Sequence, residues 1–156
     1  MNNWIYKTKQ ISHLEDLPNS DELYGFVYRI TCIFNGKFYI GKKVFKFSRK
    51  KKIPKYIKKS TKTRKIYERV VKDSDWLEYY GSSKELTDDI LAFGKGNFKR
   101  EIIELCFTKK QLSYAELKWQ IKEDVLTNYT YNGNILGRFY PKDLINNEKS
   151  KKTTQH

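Results

Sequence analysis

Asn35-Gly36 stands between two short runs rich in β-branched and aromatic residues, "FVYRITCI" before it and "KFYIG" after it. An Asn-Gly pair tolerates the positive backbone angles of a tight two-residue turn, so residues 26–33 and 37–41 are predicted to form an antiparallel hairpin. No other stretch limits the fold as strongly. A two-residue turn sets Phe34 opposite Lys37 and Cys32 opposite Tyr39. Side chains alternate along a strand, which puts Tyr28, Ile30, Cys32, Tyr39 and Gly41 on one face. In that register Tyr28 and Tyr39 are offset by about four residues, roughly 13 Å along the strand, unless a bulge or twist draws them together.

The rest of the chain arranges itself around this hairpin. Residues 1–23 carry a few apolar positions and the acids Glu15, Asp16, Asp21 and Glu22, and read as an irregular lead-in. A helix is predicted over 84–93, with Ser82 and Glu85 as a capping box, Leu86, Ile90 and Phe93 as its apolar stripe, and Gly94 as its end. A third strand follows at 98–105, and a second helix at 109–126 with Thr108 and Gln111 at its cap. Residues 66–80 carry no clear signal, and 145–156 read as a frayed tail. A chain of 156 residues with 38% hydrophobic and 15% aromatic content suits one domain with a real core. No apolar run approaches the roughly 20 residues that span a bilayer, and "MNNWIYKTKQ" lacks the apolar stretch of a signal peptide, so a soluble, cytoplasmic protein is expected. Cys32 and Cys106, with His13 and His156, offer neither a disulfide framework nor zinc-ligand spacing.

The formal charge of +14 is concentrated in one place. Thirteen of the 32 Lys and Arg fall between Lys42 and Lys65, a stretch without an acid, and the remaining 19 nearly balance the 18 acids. Such a run is often only a solvated face. This one follows the hairpin directly and is interleaved with Phe45, Phe47 and Tyr56, a pattern that suits phosphates beside bases. Nucleic acid is therefore the expected partner, through Lys42, Lys43, Lys46, Lys50, Lys51, Lys52, Lys58 and Lys59. Pro54 and the lack of a clean apolar stripe argue against a helix lying on a membrane.

The second predicted helix carries a carboxylate on an apolar stripe. Leu112, Ala115 and Trp119 recur at helical spacing with Glu116 among them, while Tyr114, Leu117, Ile121 and Val125 make another side apolar. Residues three and four positions from Glu116 include no Lys or Arg. A charge on a buried helix needs a partner from elsewhere, either a tertiary cation or a metal ion. A divalent ion such as Mg²⁺ or Mn²⁺, taking one or two carboxylates and phosphate oxygens, is the sharper of the two readings.

Taken in order, the hairpin "FVYRIT…GKFYIGKK", an arginine, a helix bearing a glutamate and a final "YN" resemble the GIY-YIG nuclease superfamily. The resemblance runs from about Tyr24 to Gly137, and "DWLEYYGSSKEL" (75–86) is similar to a phage-encoded subgroup. It implies an α+β domain over 24–140 with a basic insertion at 42–65, built on a small three-stranded, mainly antiparallel sheet flanked by helices. It also implies a metal-dependent DNA endonuclease working in the host cytoplasm. Tyr28 would be the general base, Tyr39 would order the attacking water and phosphate, and Arg49 would contact the scissile phosphate. Glu116 would hold Mg²⁺ or Mn²⁺, and Asn132 would bond the carboxylate or phosphate. Two positions depart from the pattern. Phe26 replaces the first glycine of the name motif, and Ile53-Pro54 stands where many relatives have a histidine, leaving Lys42, Lys43, Lys50 or Tyr56 as candidates for its role. The alternative is a basic DNA- or RNA-binding module without chemistry.

Overall fold

Eight residues, Gly25–Cys32, form the middle of a mixed sheet because nearly every one of them is buried, with neighbours on both faces. The computed structural model describes residues 2–145. In chain order its elements are β1 (Trp4–Tyr6), β2 (Lys9–Ile11), β3 (Gly25–Cys32), β4 (Phe38–Val44), β5 (Lys46–Lys52), α1 (Lys55–Thr61), β6 (Tyr67–Asp73), α2 (Lys84–Phe93), β7 (Phe98–Cys106), α3 (Lys109–Lys122) and α4 (Pro141–Ile145). The main sheet has the order β2-β1-β7-β3-β4. Its pairs are antiparallel except β1 with β7. The fold is α+β as expected, but the sheet has five strands rather than three. The two extra strands come from residues 1–23, expected to be irregular. They are only three residues each, too short for alternation to register, yet Trp4 and Ile11 are fully buried in the core.

The hairpin forms with a wider loop than the Asn-Gly pair predicts. Thr31 faces Phe38, Ile30 faces Tyr39 and Tyr28 faces Gly41. The type I′ turn needs positive φ at both central residues, and here Gly36 has it (φ 76°) while Asn35 does not. Instead Gly36 N–H bonds Cys32 O at 2.8 Å and the Asn35 side chain accepts from Lys37 N–H at 2.9 Å, closing a loop over residues 33–36. The register moves by two residues, which preserves the shared face and brings the tyrosines together: their ring centroids are 6.0 Å apart. A bulge at Ile103, where β7 passes from Glu104 opposite Val27 to Ile102 opposite Tyr28, adds local twist beside them.

Two cores lie on opposite faces of the sheet. Trp4, Phe26, Tyr28, Ile30 and Phe98 pack under α2 and the 74–80 loop, with Leu86, Ile90 and Trp76. Val27, Ile40 and Cys106 pack under α3 through Leu112 and Ala115. The range of α2 is the predicted one, but its cap is Ser83, whose Oγ accepts from Leu86 N–H, rather than Ser82. Thr108 caps α3 as expected. That helix ends at Lys122, four residues early, just before Asp124 turns left-handed (φ 49°). Its second apolar side does not form: Tyr114 and Ile121 are exposed.

The basic insertion is structured. β5 and β6 make a separate two-stranded antiparallel ribbon, with α1 in the connection between them. Pro54 caps the start of α1 instead of breaking a helix, consistent with proline's tolerance at a helix entrance. Of 145–156, all but Ile145 lies outside the described residues.

Candidate active site

β4 is an edge strand, and its outer side is covered by the segment after α3. Phe38 O accepts from Tyr131 N–H at 2.7 Å, and the Asn132 amide clasps Ile40, accepting from its N–H at 3.0 Å and donating to its C=O at 2.8 Å. Gln120 of α3 donates to the same carbonyl at 3.2 Å. Asn132 is buried, so these bonds act in a low-dielectric setting and fix Ile40 between Tyr39 and Gly41. Asn132 was expected to meet a carboxylate or phosphate. Both ends of its amide instead bond the strand that carries the second tyrosine.

A cleft of about 590 Å³ opens around this edge, lined by Tyr39, Ser82, Glu116, Gln120, Asn132 and Gly133 among others. Tyr39 reaches it from one face of the sheet and Glu116 from α3 on the other. Tyr39 Oη shares a 3.2 Å hydrogen bond with Ser82 Oγ. Behind Tyr39 lies Tyr28, 1% exposed, its ring edge-on to Trp4 and Tyr79 with centroids at 5.4 and 5.9 Å. Gly41 stands opposite Tyr28. A Cβ there would lie 2.5 Å from the Tyr28 hydroxyl and 2.8 Å from the Tyr39 ring, so only glycine lets the two phenols close over the strand.

The electrostatics follow from this packing. Burial holds the Tyr28 hydroxyl well above the usual tyrosine range, and the nearby Tyr39, Tyr79 and Glu116 push it the same way. Tyr39 is raised too, again chiefly by burial, although its bond to Ser82 opposes the change. The Glu116 carboxyl is raised by burial and pulled back by Lys42, whose Nζ is 3.7 Å from Oε1. Glu116 is therefore not without a cation, but the contact is long and the Lys42 side chain is 41% exposed. Lys43 lies 3.9 Å from the centre of the Tyr79 ring and 2.6 Å from Asp75, which lowers the Asp75 pKa.

The structure thus gathers Tyr28, Tyr39, Glu116 and Asn132, with Lys42 and Lys43 at the margin. It leaves Arg49 on the exposed ribbon, paired in register with Val70. Arg49 shares a ribbon face with Phe47, whose ring is 5.6 Å from Lys43 Nζ and which lines, with Lys42, Lys43 and Tyr79, a second pocket beside the cleft. Lys46, Lys50, Lys51 and Lys52 lie on β5, and Lys58 and Lys59 on α1. Ile53 is buried in the insertion and Tyr56 is exposed on α1. The residue that stands against Tyr28 is instead Tyr79, which sequence reasoning missed because it lies in the 66–80 stretch without periodicity. Its backbone is held by buried Arg100, which donates to the carbonyls of Leu77 and Tyr79 at 2.9 Å each.

Among the described residues, no three His, Cys, Asp or Glu side chains converge on a metal position. A divalent ion here would be held by Glu116, because the other carboxylate lining the cleft, Glu85, is paired with Lys37. That donor set fits Mg²⁺, which commonly keeps several waters and takes one or two carboxylates with substrate phosphate oxygens.

The family described as "Putative endonuclease segE, GIY-YIG domain" matches residues 4–143, including the two short strands before the hairpin. No curated protein and no solved structure shows significant similarity to the chain.

Proposed function

The chain belongs to the segE GIY-YIG endonuclease family, a family of phosphodiester hydrolases, and from that premise we propose that it cuts DNA with a single divalent ion held by Glu116. The observation that carries this reading is the cleft at the β4 edge, where Tyr39, Glu116 and Asn132 meet and the Tyr28 ring lies directly behind Tyr39. Mg²⁺ or Mn²⁺, when bound, supplies positive charge to the phosphoryl oxygens and to a nearby water.

The chain's own residues do the rest. Tyr28 accepts the proton of the attacking water as the new P–O bond forms and the bond to the leaving strand breaks. In the free protein its hydroxyl is protonated, because burial and neighbouring oxygens disfavour the phenolate. The Arg49 guanidinium beside the substrate phosphate, together with a divalent ion, would lower that pKa, so that the hydroxyl proton would pass to solvent and the phenolate would be the base only in a loaded site. Tyr39, tied to Ser82, orients the water and the phosphate. Arg49 is the bidentate phosphate partner, delivered by the ribbon when DNA is bound. Asn132 acts at one remove, by holding Ile40 and hence the Tyr39–Gly41 backbone. Lys46, Lys51 and Lys52 of β5 and Lys58 and Lys59 of α1 bind the DNA backbone.

A plasmid-nicking assay with Mg²⁺, with Mn²⁺ and with EDTA, on wild type and Glu116→Gln, tests the proposal. Cutting is expected only for wild type with metal, while Glu116→Gln still binds DNA. Cutting in EDTA or by Glu116→Gln excludes the one-ion mechanism. Binding without cutting under every condition returns the protein to the non-catalytic alternative.

A further inference from the structure

The ribbon formed by β5 and β6 is built unlike the rest of the molecule. Residues 46–73 contain 13 Lys and Arg against two acids, Glu68 and Asp73. Among the described residues, none of those cations forms an ion pair. Every residue of β5 is exposed, and so is all of β6 except half-buried Val70. The register sets Lys50 directly opposite Arg69. Like charges in a cross-strand pair destabilise the ribbon that carries them, so the arrangement suits an anion lying between or beside them.

Dimensions and attachment narrow the partner. Strands of seven residues extend about 23 Å, and two paired strands lie about 4.8 Å apart, a size that the roughly 12 Å wide major groove of duplex DNA admits. The ribbon leaves the core at Phe45 and returns at Ser74. There Ser74 N–H donates to Phe45 O at 2.9 Å, and Phe45 and Trp76 are buried on either side of the junction. It is a pinned arm, with one face, which bears Arg49, meeting the pocket beside the cleft through Phe47 and the other carrying Lys46, Lys50, Lys52 and Arg69.

We infer that the β5–β6 arm lies in the major groove of duplex DNA, its Lys50–Arg69 pair turned to base edges, and so determines where the cleft cuts. This rests on the nuclease reading above but goes beyond it, because it assigns duplex selection and base reading to an element to which that reading gives only phosphate contacts. Arg69, whose side chain has no hydrogen-bond or ion-pair partner among the described residues, is the natural donor to guanine O6 and N7.

Dimethyl sulfate reports both grooves at once, methylating guanine N7 in the major groove and adenine N3 in the minor groove. The test uses a mixed-sequence duplex and the corresponding single strand in EDTA, with saturating full-length protein. Wild type should slow methylation at guanine N7, leave adenine N3 open and prefer the duplex. A Lys50→Gln/Arg69→Gln double variant should lose the N7 protection and about tenfold or more of duplex affinity, while melting no lower than wild type. A second variant, with residues 46–73 replaced by Asn-Gly, should lose the same protection and, with Arg49 gone as well, nick plasmid with Mg²⁺ far more slowly than wild type. Protection at adenine N3 alone, preference for the single strand, or an unchanged footprint in the folded double variant overturns the inference. If wild type still nicks plasmid with Mg²⁺ while any of these holds, the nuclease reading survives. If wild type neither binds nor nicks DNA, both fall.

Discussion

The cleft and the arm use positive charge in opposite ways. Around the main sheet several cations have partners: Arg29 with Glu123, Lys37 with Glu85, Lys42 with Glu116, Lys43 with Asp75 and the Tyr79 ring, Lys118 with Glu104, and Arg100 with three backbone carbonyls. In the arm, 13 cations have no such pairing among the described residues. A paired cation fixes a neighbour in place and is a poor counter-ion for anything else. An unpaired one carries condensed solvent and is free to neutralise a phosphate. Substitutions in the cleft should therefore change rate or stability and leave the salt dependence of binding alone, and those in the arm, Arg49 apart, should do the reverse.

The largest effect is expected at Tyr28. Phenylalanine keeps the ring between Trp4, Tyr39 and Tyr79 and removes only the hydroxyl. Loss of a general base costs on the order of 10²- to 10⁴-fold, roughly 3 to 5 kcal/mol of barrier. Tyr39→Phe should cost less, because that hydroxyl only orients. Single-turnover cleavage of a duplex separates chemistry from binding and product release. A Tyr28→Phe protein that cuts within a few-fold of wild type loses its base assignment, and Lys42 or Lys43 becomes the better candidate.

Next comes the arm. Neutralising Lys51, Lys52, Lys58 and Lys59 together should flatten the slope of log affinity against log salt by roughly 3 to 4 units if all four meet phosphates. The melting temperature should not fall, since these side chains are exposed and unpaired. An unchanged slope would make the arm a solvated projection and erase the contrast with the cleft.

The contrast also explains what the sequence could reveal. The hairpin, α2, β7 and the Thr108 cap were legible because each has a local signal: strand composition, a 3.6-residue stripe, a hydroxyl followed by a helix. The register was not, because it depends on whether Asn35 adopts positive φ, and either outcome satisfies the same alternation. β1 and β2 were not legible either, since three-residue strands acquire identity only from the tertiary contacts of Trp4 and Ile11. Tyr28, Tyr39, Glu116 and Asn132 could be grouped by resemblance, and the cleft brings them together. The bonds of Asn132 to Ile40 and the approach of Tyr79 could not be foreseen, because both join segments 50 or more residues apart through turns without periodicity.

A smaller effect tests the locked side of the comparison. Asn132→Ala leaves the Ile40 N–H without its partner, while Gln120 still reaches the carbonyl. An unsatisfied buried group costs about 1–3 kcal/mol. Thermal melting should show that loss, and cleavage should fall through the displaced Tyr39 with no change in salt slope. Unaltered stability with lost cleavage would instead make Asn132 a direct substrate contact.

The smallest effect concerns Glu116 without metal. Burial raises its pKa, and Lys42 opposes the shift without abolishing it. The native protein then holds this proton more tightly than the unfolded chain, whose glutamates titrate near 4.3. Stability contributed by the group is present below that range and is lost as pH rises through the higher native value. Gln carries no charge at any pH and escapes the loss. In EDTA, Glu116→Gln should melt above wild type at pH 7, and the difference should shrink toward pH 4. Added Mg²⁺ should reverse the order at pH 7, because an ion that binds only the native carboxylate stabilises wild type by mass action and leaves Gln unchanged. If Glu116→Gln melts lower at pH 7 in EDTA, the Lys42 pair outweighs the burial of Glu116. The carboxylate would then belong with the fully paired charges of the core, and a bound ion would have to displace Lys42 before it could be held.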